Sequence, residues 1–194
     1  MTEDPNTFRD IALRAVGRTV VNFQRLEHNL KLVARIGPIE GIASKVQRDI
    51  EKRAERASSF TLGQAVRAWL GAIESDIPRG SHTPDLFEPS MWMTLSLGGD
   101  PEANRAHQDT LLALLAFRND LIHGALVTFD WDSRDECERL VTRLNGINDQ
   151  IRSQMDFFAT FIKGMRELKV EDFQPAETDS PGDGTPVSQL KIDT

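Results

Sequence analysis

Past the midpoint of the chain, Arg118-Asn119-Asp120-Leu121-Ile122-His123 sets an arginine, an amide and a histidine within six consecutive residues. Histidine titrates nearest neutral pH and is the usual side chain for taking or giving a proton. Arginine presents a fixed fork of donors matched to phosphate oxygens. Reaction at a phosphate requires a group that moves protons and a cation for the charge that builds on phosphorus. Arg118 and His123 suit those roles. Asn119 and His123 are four apart and share a helix face, where the amide could orient the imidazole. Arg118 lies well around the axis, so only its long side chain could reach over. Asp120 is assigned no catalytic role. The structural alternative is that Arg118 and His123 serve the negative end of a helix dipole and its free carbonyls.

Other residues with chemical potential form no comparable group. Phe129 and Trp131 follow the motif and could stack on unpaired bases, or simply pack a loop onto the protein. His28, His82 and His107 lack metal-ligand spacing, and Cys137 is the sole cysteine, so neither a zinc site nor an internal disulfide is expected. There is no Gly-rich phosphate loop. The sequence therefore calls for no metal and no cofactor. Glu27 could face Arg118 but is better placed for an i,i+4 pair with Lys31.

The elements that must position the motif are helices. From Phe8 to Ile36, the apolar positions Phe8, Ile11, Ala12, Ala15, Val16, Thr19, Val20, Phe23, Leu26, Leu30 and Val33 recur at three- and four-residue steps, and Gly37-Pro38 closes the run. Ile42, Val46, Ile50, Ala54 and Ala57 mark a second, charge-rich helix with one buried edge. A third follows with Leu62, Val66, Trp69, Leu70 and Ile73, opened by Thr61 as a cap. Residues 76–100 are rich in Pro, Gly, Ser and Thr and read as a long loop anchored by Met91-Trp92-Met93 and Leu95. Asp100-Pro101-Glu102 is a strong helix start. The fourth helix carries the widest apolar stripe, Leu111, Leu112, Leu114, Leu115, Phe117, Leu121 and Ile122, with Gly124 placed to end it. Ser133 and Glu136 match a capping box ahead of a long fifth helix through Leu140, Leu144, Ile151, Phe158 and Ile162. The expected fold is all-α, a four- to five-helix up-and-down bundle over residues 1–172, with a disordered acidic tail over 173–194.

Composition narrows the function classes. The 194 residues carry a net charge of −7, which argues against non-specific coating of nucleic acid but leaves room for a local basic site. No apolar run approaches the length of a membrane span, and the first residues lack a basic-then-apolar signal pattern, so a cytoplasmic protein is expected. Tyrosine is absent.

The segment Phe117 to Gly124, FRNDLIHG, resembles the HEPN superfamily, helical bundles with an Arg-x4-6-His motif and usually a polar residue after the arginine. The run Phe23-Gln24-Arg25-Leu26-Glu27-His28-Asn29-Leu30-Lys31 and the Thr61-Leu62-Gly63 helix start are similar to those of bacterial HEPN-like proteins. The resemblance implies a metal-independent endoribonuclease with Arg118 and His123 as the catalytic pair and Asn119 in support. It implies a homodimer, in which two copies of the helix end share one cleft, acting on single-stranded RNA. It also implies a toxin or defence effector, with an inhibitory protein partner possible. Some HEPN toxins are silenced by modification of a tyrosine two residues past the histidine; here that residue is Ala125, so this control is excluded. The alternative function is a non-catalytic adaptor or regulator that dimerises or binds RNA or protein without cleaving.

Overall fold

The computed structural model describes residues 6–35, 39–74, 90–97, 100–167 and 188–192. Five helices form the bulk of it: α1 (Asn6–Ala34), α2 (Ala43–Ser58), α3 (Leu62–Glu74), α4 (Pro101–Asp120) and α5 (Arg134–Glu167). Their starts follow from local chemistry. Thr61 and Gln64 form a reciprocal capping box, with Thr61 N–H donating to Gln64 Oε1 at 2.8 Å and Gln64 N–H to Thr61 Oγ1 at 3.3 Å. Asp100 Oδ1 accepts from Glu102 N–H at 3.0 Å, with Pro101 in the first turn where its missing N–H costs nothing. Ser133 Oγ accepts from Glu136 N–H at 3.4 Å at the head of α5.

The helical bundle has one addition that the all-α expectation lacks. Three short strands, β1 (Ile39–Ile42), β2 (Ser90–Leu97) and β3 (Ser188–Ile192), form a sheet in the order β1-β2-β3. β1 runs antiparallel to β2, pairing Ile39 with Met93 and Ile42 with Ser90; β2 runs parallel to β3, pairing Met93 with Ser188 and Leu97 with Ile192. A parallel pair needs a long crossover, and α4 and α5 lie in sequence between these two strands. Part of the expected loop and part of the expected tail are thus strand, because Met91, Met93, Leu95 and Leu97 alternate with other residues at the strand period of two. Residues 75–89, 98–99 and 168–187 lie outside the described residues, and with them the rest of those two expectations, along with His82.

Contacts along the helices fix their directions. Arg9 pairs with Asp132, Arg18 with Asn145 and Asn22 with Asn148, so α1 and α5 run the same way side by side. Gly63 approaches Leu115 while Trp69 meets His107, so α4 runs opposite to α3; Phe23 stacks on Phe117 while Ala15 shares a cluster with Leu121, so it also opposes α1. These directions agree with an up-and-down bundle.

The main core joins Phe23, Leu26 and Leu30 of α1, Val66 and Trp69 of α3, Leu111 and Leu114 of α4, and Ile151, Phe158 and Phe161 of α5. Trp69 is fully buried, edge-on to Phe158 and Phe161 at 5.4 and 5.1 Å. A buried indole N–H needs an acceptor. His107 supplies it: Trp69 Nε1–H donates to His107 Nε2 at 3.3 Å, and the imidazole lies against Phe157 with centroids 4.1 Å apart. A second tie crosses the α1–α5 seam. Asn148, buried, accepts from Asn22 Nδ2 at 2.8 Å and donates to Thr19 Oγ1 at 2.9 Å, while the Thr19 hydroxyl donates to the Ala15 carbonyl. Such a chain is stabilising only when complete, which ties α1 to one register on α5.

Burial lowers the His107 pKa from 6.5 to about 4. The unfolded chain takes up a proton near 6.5, whereas the folded protein resists until about 4. Between those values the folded state binds fewer protons, so stability falls as pH drops through this window. Urea titrations between neutral pH and pH 4 are expected to show a falling midpoint. The fall should be smaller in His107→Gln, whose amide oxygen can still accept from Trp69. An identical fall in both proteins would contradict a protonation cost at His107.

Candidate active site at the end of α4

The apolar stripe of α4 ends on Leu121, which is 2% exposed and packs with Ala15, Leu140 and Leu144. This small cluster, separate from the main core, draws α1, α4 and α5 together at one end of the bundle. Phe117 touches both clusters, stacking on Phe23 at 6.5 Å on one side and packing near Leu121 on the other. With Leu121 held inside, the polar neighbours on either side of it are directed outward.

The helix does not stop at Gly124. Residues Leu121–Ala125 form a single π turn, closed by Leu126 N–H donating to the Leu121 carbonyl at 3.4 Å, five residues back. Val127 N–H then bonds to the Gly124 carbonyl at 3.1 Å, and the chain leaves the helix. Gly124 is therefore no left-handed terminator: its φ lies outside the left-handed region and it sits within the π turn. Single π turns in α-helices occur frequently at functional sites. A π turn also changes which residues share a face. Its hydrogen bond spans five residues, so side chains five apart approach the stacked relation that residues four apart have in an α-helix. Here the five-residue bond joins Leu126 to Leu121, so Arg118 stays on the last regular turn of α4 before it and His123 lies within it.

Arg118 is half-buried, and its Nη1 donates to Asn119 Oδ1 at 3.2 Å. Asn119, Asp120, His123 and Gly124 are exposed. Among the described residues, His123 has no hydrogen-bond partner. Asn119 thus engages the guanidinium rather than the imidazole. Its amide N–H groups remain free to act as donors. The arrangement offers a braced cation and an accessible imidazole on one helix end, able to bind a phosphate and to exchange a proton with it.

Phe129 and Trp131 are both half-buried, meet edge-on with centroids 4.7 Å apart, and pack against the Leu121 cluster. They underpin the π turn. Arg9 reaches Asp132 at 3.8 Å and holds the loop to the start of α1. Cys137 is fully buried; burial foremost, and then Asp130, raises its thiol pKa, which keeps it protonated and inert. Glu27 pairs with Lys31 at 2.8 Å. Among the described residues, no three His, Cys, Asp or Glu side chains are grouped to hold a metal ion, and no helix is long and apolar enough to cross a membrane.

One residue beside the site has no local signal in the sequence. Arg143 of α5 places its guanidinium 4.7 Å from the centre of the Phe117 ring, directly before Arg118 in the chain. Nothing in the α5 periodicity marks it, because its position depends on how α4 crosses α5. It brings a second guanidinium to this end of the bundle, attracted by the ring face.

No protein-family model matches this chain, and neither does any curated protein or solved structure.

Two substitutions test this geometry by chemical denaturation. Leu121→Ala should cost about 2–5 kcal/mol, as for truncation of a buried leucine. Gly124→Ala should be neutral or stabilising by up to about 1 kcal/mol, since glycine is unfavourable inside a helix. A Cβ there meets only Asp120 Oδ1, at 3.3 Å, and that exposed side chain can move. A loss of about 2 kcal/mol or more in Gly124→Ala would contradict the π-turn placement and restore the left-handed terminator.

Proposed function

We propose that this chain is a HEPN-type, metal-independent endoribonuclease that acts on single-stranded RNA as a homodimer, in the cytoplasm, as a toxin or defence effector. The observation that carries the reading is the exposed, unpartnered His123, among the described residues, on the same helix end as a half-buried Arg118 braced by Asn119. In the reaction, one His123 takes the proton of a 2′-hydroxyl. The freed oxygen attacks the adjacent phosphorus, and the bond from phosphorus to the 5′-oxygen breaks. A proton passes to that oxygen, leaving a 2′,3′-cyclic phosphate and a 5′-hydroxyl. Arg118 binds the phosphate oxygens and opposes the charge that peaks in the transition state. Asn119 restricts the guanidinium, and its amide N–H groups add donors toward the same phosphate.

One imidazole is poorly placed to act on both sides of the phosphorus. Pairing two helix ends about a two-fold axis supplies the second His123 as the acid, so the active unit is the dimer. An inhibitory protein would then act by covering this end or by separating the protomers.

A specific observation favours a second reading. Within a protomer Asn119 bonds to Arg118, which leaves His123 without an orienting group among the described residues. A non-catalytic adaptor that uses this surface to bind RNA or protein would need no such group.

The test is incubation of the purified protein with single-stranded RNA in EDTA. Cleavage is expected, with a loss of about 100-fold or more in both His123→Ala and Arg118→Ala. Cleavage that persists unchanged in His123→Ala would overturn the assigned roles. No cleavage, with dimer dissociation promoted by Arg118→Ala, would instead establish the adaptor.

A further inference from the structure

Helix α1 carries a second line of residues beside its buried face. Arg14, Arg18, Val21, Arg25 and His28 follow one another at steps of four, three, four and three, and all five are exposed. The line lies on the flank of α1 turned toward α5. Arg18 Nη2 donates to Asn145 Oδ1 at 2.6 Å, and Asn22, one turn further along, bonds to Asn148. Helix α4 packs on the other flank, through Val16 and Phe23, so this line is separate from Arg118 and His123.

Three features of the line point to one kind of ligand. First, its arginines are unpaired with acids. Among the described residues neither Arg14 nor Arg25 has an acidic partner; Glu27 is engaged with Lys31 and Asp149 with Arg152 at 2.6 Å, and the acid that adjoins the line is Asp10, one turn before Arg14. Three arginines in register stand out on a chain of net charge −7. Second, the line runs into a shallow groove of about 410 Å³, where Val21 and Met155 present apolar surface beside Arg25, His28, Gln24 and Asn29. Apolar surface next to amides and a guanidinium suits an unpaired base attached to a phosphate. Third, Arg14 and Arg25 stand eleven residues apart, about 16 Å along the axis at the helical rise. That span exceeds a single phosphate and fits successive phosphates of a chain.

We infer that the α1–α5 groove is a track for single-stranded RNA, with Arg14, Arg18 and Arg25 on successive backbone phosphates and a base seated over Val21 and Met155. The identity of the polymer as RNA rests on the ribonuclease reading; the track itself does not depend on cleavage.

The experiment measures fluorescence anisotropy of a fluorescein-labelled oligouridylate with the His123→Ala protein, which removes turnover, across a range of salt. The same measurement is made on that protein with Arg14→Gln and Arg25→Gln added. Neither arginine holds a hydrogen bond among the described residues, and unchanged thermal melting confirms the fold. Each arginine–phosphate pairing removed should reduce the salt slope of log K by about 0.7, so the double substitution should lower it by about 1.4 and weaken binding about tenfold or more at low salt. Uridine monophosphate should compete poorly. An unchanged slope and affinity in the double variant would overturn the track even where cleavage depends on His123. Weakened binding in a protein whose parent does not cleave would keep the track and remove the nuclease. Equal competition by the mononucleotide would reduce the site to a single-phosphate pocket and overturn the polymer.

Discussion

The burial of Leu121 is the constraint on which the rest of the site depends. It is the last core residue of the α4 stripe, and the space it fills is made by Ala15 on α1 and by Leu140 and Leu144 on α5. The alanine matters as much as the leucines, because a larger side chain there would hold α4 away. Once Leu121 is inside, the chain on either side has no freedom of direction. Arg118 emerges half-covered on the turn before it, and His123 emerges fully on the turn after it. The π turn is the backbone's way of keeping Leu121 seated while carrying the chain out toward Phe129 and Trp131. Those two aromatics pack beneath it and close the cluster from the loop side.

That small cluster could not fix the bundle end without rigid helices behind it. Two polar ties supply the rigidity at a distance. At the opposite end, the indole of Trp69 and the unprotonated Nε2 of His107 hold α3 against α4 within the aromatic core. Along the seam, the Asn22–Asn148–Thr19 chain selects the one register in which Ala15 lies opposite Leu144. Slipping α1 along α5 would bury unpaired amides, which costs more than the hydrogen bonds gain when made. Registration at the seam thus becomes positioning at the site.

Helices are legible in the sequence because their signals are local and redundant. The stripes of α1 and α5 speak through their period, and the Thr61 cap, the Asp100-Pro101 start and the Ser133–Glu136 box speak through their ends. The strands escape a reading of the sequence for the opposite reason. Residues 90–97 do alternate, but they stand in a Pro- and Gly-rich context, and the partner that makes β2 a central strand lies almost a hundred residues further on. The motif itself is visible as residue types, while its geometry is not. A π turn differs from an α turn by one residue in one hydrogen bond, with no sequence signature at Leu121. Gly124 suggests an end that the chain does not take. The pairing of Asn119 with Arg118 rather than His123 is a rotamer choice, and Arg143 arrives from another helix altogether.

The proposed reaction has an imidazole acting directly on a ribose hydroxyl, with charge opposed by a guanidinium and with no water entering until after cleavage. Phosphorus-31 NMR of the products made from single-stranded RNA in EDTA reads that course directly. A 2′,3′-cyclic phosphate should accumulate as the first product with the intact protein and be lost with His123→Ala. Direct release of a 5′-phosphate, or a cyclic product that forms equally well without His123, would contradict it.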